Sequence, residues 1–140
     1  MEHRILEHVK NALHVAINWE VTEVGLPRKI SSVRFTFQSY QHNLERLMNL
    51  EEEGGFMAAV ADCKPNLHHR SEKIRGEHDV LRRVVPDMIA RIESVSEHEL
   101  SSFDEICADI RKLLQRLDRH DRNEIALIQE AFHFDEGGEG

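Results

Sequence analysis

The sequence predicts an all-α fold, an antiparallel up-down-up-down four-helix bundle. Three observations predict it. Apolar residues recur at alternating spacings of three and four over long segments, which places them on one face of a helix. Three prolines and seven glycines in 140 residues leave four such segments with short connections. No segment shows the apolar–polar alternation of a strand, and none repeats at a solenoid period.

The first helix is expected from Glu2 to Val21, with Ile5, His8, Ala12, Val15 and Trp19 as its inward stripe. Glu7, Asn11, His14 and Asn18 then form its polar face. Gly25-Leu26-Pro27 reads as a helix stop and turn. Ser31 and Ser32 can cap a second helix starting near Val33, whose stripe is Val33, Phe37, Tyr40, Leu44, Leu47 and Glu51. Gly54-Gly55 is expected to bend the helix end, with Phe56–Val60 adding a further turn or two before Cys63-Lys64-Pro65. The third helix is expected from Asn66 to Val95. Its stripe is Leu67, Ser71, Ile74, His78, Leu81, Val85, Met88 and Ile92, and Pro86 inside it predicts a kink. Ser102 with Glu105 reads as a capping box for the fourth helix, which runs to about Phe132. Its stripe is Ile106, Ile110, Leu113, Leu117, His120, Glu124, Leu127 and Ala131. Residues 1–136 therefore form one domain, and 137–140 a disordered tail.

Composition narrows the class. A formal charge of −8 disfavours nucleic acid as a partner. No apolar run approaches the ~20 residues that span a bilayer, and Met1-Glu2-His3-Arg4 opens no signal-peptide core. Cys63 and Cys107 make no disulfide framework, which favours a reducing cytoplasm. Cys107 lies beside the core stripe as a small apolar group, whereas Cys63 has no activating basic neighbour at helical spacing. No phosphate loop or nucleophile elbow occurs, so a kinase or hydrolase has no support.

The chemistry lies where the apolar stripes break. Glu51, His78, His120 and Glu124 stand at positions that should carry leucines, and a buried ionisable group is costly unless paired or metal-bound. At about 1.5 Å per residue, antiparallel helices put them at one height near one end of the bundle. The first helix should supply a residue near its own start, and His8 is the candidate. His8, Glu51, His78, His120 and Glu124 together offer three imidazoles and two carboxylates, a set suited to iron, manganese or zinc. Taken singly, each of these histidines reads better as a satisfied polar core residue; the agreement of all five residues in phase and height favours a metal. Glu52 and Glu53 fall outside the ligand layer or behind it. Of the ten histidines, His68, His69, His98 and His133 read as surface residues.

Three segments carry a family resemblance: Glu51-Glu52-Glu53-Gly54-Gly55-Phe56-Met57, Gly76-Glu77-His78, and Arg119-His120-Asp121-Arg122-Asn123-Glu124 leading into Ile128-Gln129-Glu130-Ala131-Phe132. In their order and spacing the chain resembles the hemerythrin-like family, or HHE cation-binding domains, over essentially its whole length. The resemblance implies a four-helix bundle holding a non-haem di-iron centre that binds dioxygen, senses oxygen, redox state or iron, or handles nitric oxide. It implies His8 from the first helix, a histidine and Glu51 from the second, His78 from the third, and His120 with Glu124 from the fourth. The second helix departs from this pattern, because the histidine slot falls on Leu47, which cannot coordinate a metal. Ile74 likewise offers no ligand where some relatives carry a second histidine. His42 lies off the stripe, and Tyr40 sits about 16 Å from Glu51 along the helix.

The expectation is a cytoplasmic metal-binding bundle, with iron as one or two ions and a small diatomic ligand, and without nucleic-acid or membrane partners. A metal-free helical interaction module that keeps the fold and a degenerate site is the alternative, with no cofactor. An oxidase or peroxidase is disfavoured by the incomplete ligand set.

Overall fold

The computed structural model describes residues 2–53 and 56–139, with side chains described for residues 3–53, 57, 59, 60, 62 and 64–132. Its elements are α1 (Glu2–Asn18), α2 (Leu26–Glu53), α3 (Phe56–Cys63), a single 3₁₀ turn (Pro65–Leu67), α4 (His68–Ser94) and α5 (Leu100–Glu139). The four long helices form an all-α four-helix bundle: α1 packs on α2, α2 on α4, α4 on α5, and α5 back on α1.

Side-chain pairs fix how the helices run. Between α2 and α4, Gln38 meets Glu93 and Asn49 meets Arg82. Between α4 and α5, Arg91 meets Asp109, Glu77 meets Arg116, and Arg70 meets Glu130. Between α1 and α5, Lys10 meets Asp118, and Arg111 reaches Ile17 and Asn18. In each pair the numbers rise on one helix as they fall on the other, so these neighbours are antiparallel. The expected stripes of α2, α4 and α5 are buried at every position from Val33 to Glu51, Leu67 to Ile92 and Ile106 to Ala131.

The expected stripe of α1 is not the inward one. Ile5, His8, Ala12, Val15 and Trp19 are all exposed. Leu6, Lys10, Leu13 and Ile17 are buried instead, with Ala16 beside them. The two sets differ by one or two residues, about 150° around a helix on average, so the helix presents nearly its opposite face. Lys10 is the cause. A cation in the middle of a stripe disqualifies it by pattern, yet the Lys10 ammonium reaches Asp118 Oδ1 at 2.6 Å, Glu7 Oε2 at 3.0 Å and Asp121 Oδ2 at 3.2 Å. Burial alone would depress its pKa; those three carboxylates outweigh it and raise it above its ordinary value.

Two helix starts also differ from expectation. α2 begins at Leu26, about two turns before Val33. Pro27 lies in its first turn, where the missing N–H has no intrahelical partner to lose. Leu26, Lys29 and Ile30 are thereby buried. Gly25 accepts from Lys29 N at 3.1 Å, and a Cβ there would sit 3.1 Å from that of Val21. α5 begins at Leu100, with Phe103 N donating to Glu99 O at 3.2 Å. Ser102 is therefore inside the helix, and its hydroxyl donates to Glu99 Oε2 at 2.7 Å in place of the expected cap with Glu105. The helix continues past Phe132 to Glu139, into the segment expected as a tail. The Gly54-Gly55 bend and the side chains of Cys63 and His133 lie outside the described residues. Among the described residues, no helix is long and apolar enough to cross a membrane.

The apolar interior is split in two. The main core runs from Leu6 and Leu13 through Phe37, Tyr40, Leu81, Phe103 and Leu117. A smaller cluster, Met57, Val60, Leu67, Ile74, Leu127 and Ala131, packs α3 and the 3₁₀ turn against α4 and α5. On α4 and α5, the buried ionisable residues His78, His120 and Glu124 stand between the stripe positions that belong to these two clusters.

Candidate metal centre

His78 is fully buried on α4, and its two ring nitrogens face different groups. Nδ1 lies 2.7 Å from Glu52 Oε2, which Arg82 Nη1 approaches at 2.9 Å. Burial works against the ionised form of Glu52, but Arg82 and His78 more than offset it and hold its carboxyl below the ordinary value. An ionised Glu52 accepts the Nδ1–H, which leaves Nε2 with its lone pair directed inward. A carboxylate behind an imidazole is the arrangement that orients a metal-ligating histidine. His78 Nε2 lies 3.4 Å from Glu124 Oε2 and 3.7 Å from Glu51 Oε1.

His120 stands one helical turn before Glu124, with Nε2 3.0 Å from Glu124 Oε2. Its ring packs edge-on to that of His78, centroids 5.1 Å apart. Burial, followed by the adjacent His78, pushes the His120 pKa down to about 4. Burial lowers His78 as well, despite Glu52. Both rings are thus neutral imidazoles near neutral pH, the form that ligates a metal. Burial also raises Glu124 to about 7.

The first helix contributes His3. Its Nε2 is 3.8 Å from Glu51 Oε2 and 3.7 Å from Glu124 Oε1. The two glutamates therefore each turn one oxygen to a different side. Glu51 Oε1 and Glu124 Oε2 face His78, with His120 beside them, while Glu51 Oε2 and Glu124 Oε1 face His3. Two overlapping groups result, His78–His120–Glu124 and His3–Glu51–Glu124, each with ligand atoms within 4.8 Å of one another. The first is buried throughout. In the second, His3 is partly open to solvent, with 40% of its side chain exposed.

The donors match a cation better than they match one another. Glu51 Oε1, Glu51 Oε2 and Glu124 Oε1 are buried and have no hydrogen-bond partner among the described residues. A buried carboxylate oxygen without a partner costs free energy that a metal ion would recover.

Of the five residues expected to converge, Glu51, His78, His120 and Glu124 meet, and His8 does not. The rotation of α1 that turns Leu6 and Leu13 inward carries His8 outward and brings in His3, five residues earlier. His3 lies one turn before Leu6, so the signal for it is the stripe that Lys10 interrupts. Glu52 acts behind His78, whereas Glu53 is exposed. Leu47 is buried one turn before Glu51 and supplies no donor. Cys107 is buried, and burial raises its thiol pKa. His68, His69 and His98 are exposed.

Comparison of the chain with protein-family models, with curated proteins and with solved structures finds no match in any of the three.

Proposed function

We propose that this chain is a hemerythrin-like metal-binding bundle whose buried carboxylates bridge two adjacent cation positions, with non-haem iron as the favoured metal. The observation that carries the reading is the pair of buried glutamates Glu51 and Glu124, which leave three carboxylate oxygens without a hydrogen-bond partner among the described residues and turn their two oxygens toward different imidazoles. One position would be held by His78, His120 and both glutamates, the other by His3 and both glutamates. Bundle interiors host carboxylate-bridged metal pairs on just such inward-facing side chains.

The two positions are unequal. The His78–His120 position has two imidazoles, one of them oriented by Glu52, and all three of its side chains are buried. The His3 position has one imidazole and a solvent-facing edge, because Leu47 offers no donor where the family pattern has a histidine. An iron pair would supply redox-active metal with coordination positions open to a diatomic molecule. The protein's part is to hold neutral imidazoles, fix their tautomer through Glu52 and Arg82, and exclude water with the apolar clusters on either side. The use proposed for such a site is binding or sensing of oxygen, nitric oxide or redox state, and the lack of a cysteine framework favours a reducing compartment for it.

Anaerobic reconstitution with ferrous iron, followed by metal analysis and an optical spectrum, tests the reading. Between one and two irons per chain is expected. Retention of well under one would sink it and favour a metal-free interaction module.

A further inference from the structure

A second feature lies on the neighbouring face of the bundle. Arg70, Lys73, Ile74 and Glu77 on α4 oppose Arg116, Arg119, His120 and Asn123 on α5 across an open cleft of about 580 Å³. Both faces use the same offsets, so four residues of each antiparallel helix look into one groove. Four of the eight lining residues are cationic and one is acidic, although the chain as a whole carries −8.

The cations fall into two kinds. Arg70 is tied to Glu130, and Arg116 is held by Glu77 through contacts of 2.8 and 3.2 Å. These pairs set the walls. Lys73 and Arg119 are exposed and form no salt bridge among the described residues. Arg116 has donors beyond the two that Glu77 takes, and the Asn123 amide adds a neutral one. Guanidinium forks match the planar oxygens of carboxylates and phosphates. The volume falls within the ~300–1,000 Å³ of small-molecule clefts. The chain's overall charge opposes approach of a polyanion, so a small ligand fits better than a nucleic acid.

We infer that the cleft between α4 and α5 is a binding site for a small oxyanion, carried by Lys73 and Arg119 with Arg116 and Asn123 beside them. None of the four cations is among the metal-ligating candidates, so anion binding and metal binding are separable, although Arg119 directly precedes His120 on α5. His120 is common to both, so an anion held here rests beside an imidazole of the buried centre.

Isothermal titration of the full chain with inorganic phosphate at fixed ionic strength tests the inference, with malonate as the carboxylate probe. Saturable binding of one anion per chain is expected, with and without added ferrous iron. Lys73→Gln and Arg119→Gln should each weaken it about threefold, and the double variant about tenfold, as exposed ionic contacts of this kind act. Lys112→Gln, exposed on α5 outside the cleft, should leave it unchanged. The tighter of the two probes assigns the anion class. No saturable heat with either probe, or equal weakening by Lys112→Gln, would overturn the site. Iron uptake without anion binding defeats this inference alone, and the converse defeats the metal reading alone.

Discussion

Replacing Glu124 by glutamine is expected to stabilise the metal-free chain at pH 8 while abolishing its retention of metal. Glu124 is 1% exposed, and its Oε1 has no hydrogen-bond partner among the described residues. Burial raises its pKa from 4.5 to about 7. The folded chain therefore holds a proton that the unfolded chain releases, and stability falls as pH rises from 4.5 through about 7. Above that window the penalty is complete. At about 1.4 kcal/mol per pH unit the difference amounts to about 3 kcal/mol. Unfolding entropy of ~2.1 cal/mol/K per residue converts this, for 140 residues, to a rise in Tm of about 10 °C. The amide has acceptors within reach, because Nε2 of His78 lies 3.4 Å and Nε2 of His120 3.0 Å from the oxygen it replaces. Thermal melts after chelation, at pH 5 and pH 8, are the assay. The gain should be large at pH 8 and small at pH 5, where folded Glu124 is already protonated. An unchanged or lowered Tm at pH 8, or an equal gain at both values, would refute an unpaired buried carboxylate.

Three further outcomes are expected. His3→Ala should lower iron stoichiometry toward one per chain, whereas His8→Ala, at an exposed position on the other face of α1, should leave it unchanged; metal analysis after reconstitution distinguishes the two. Leu47→His places an imidazole one turn before Glu51 and should raise occupancy of the His3 position, read as slower iron loss to a chelator. Gly76→Ala should stabilise the fold by about 1 kcal/mol, seen as a Tm rise of about 3 °C, because Gly76 is exposed within α4 and a Cβ there meets nothing within 4 Å.

The legibility of this chain varied with how clean each stripe was. On α2, α4 and α5 the apolar spacing is interrupted, Ser71 apart, only by groups that belong to the site, so phase, height and the four residues Glu51, His78, His120 and Glu124 could be read directly. On α1 two faces compete. Ile5, Ala12, Val15 and Trp19 make a stripe as apolar as Leu6, Leu13 and Ile17, and Lys10 breaks the second. Deciding between them needs the position of Asp118 and Asp121 on another helix, which no spacing along α1 can supply. Pro27 misled for a related reason: a proline reads as a stop from one side and as a first-turn residue from the other.

By itself the sequence determined the fold class, the inward faces of three helices and the layer at which their ionisable groups meet. These depend on local periodicity and helical rise, which are properties of each segment alone. The tertiary structure decided which histidine α1 contributes, what holds Glu52 behind His78, and that Lys73 and Arg119 look into one cleft. Each of these depends on pairing between helices distant in sequence. A buried cation or an orphaned carboxylate oxygen acquires its meaning only from the side chains that surround it.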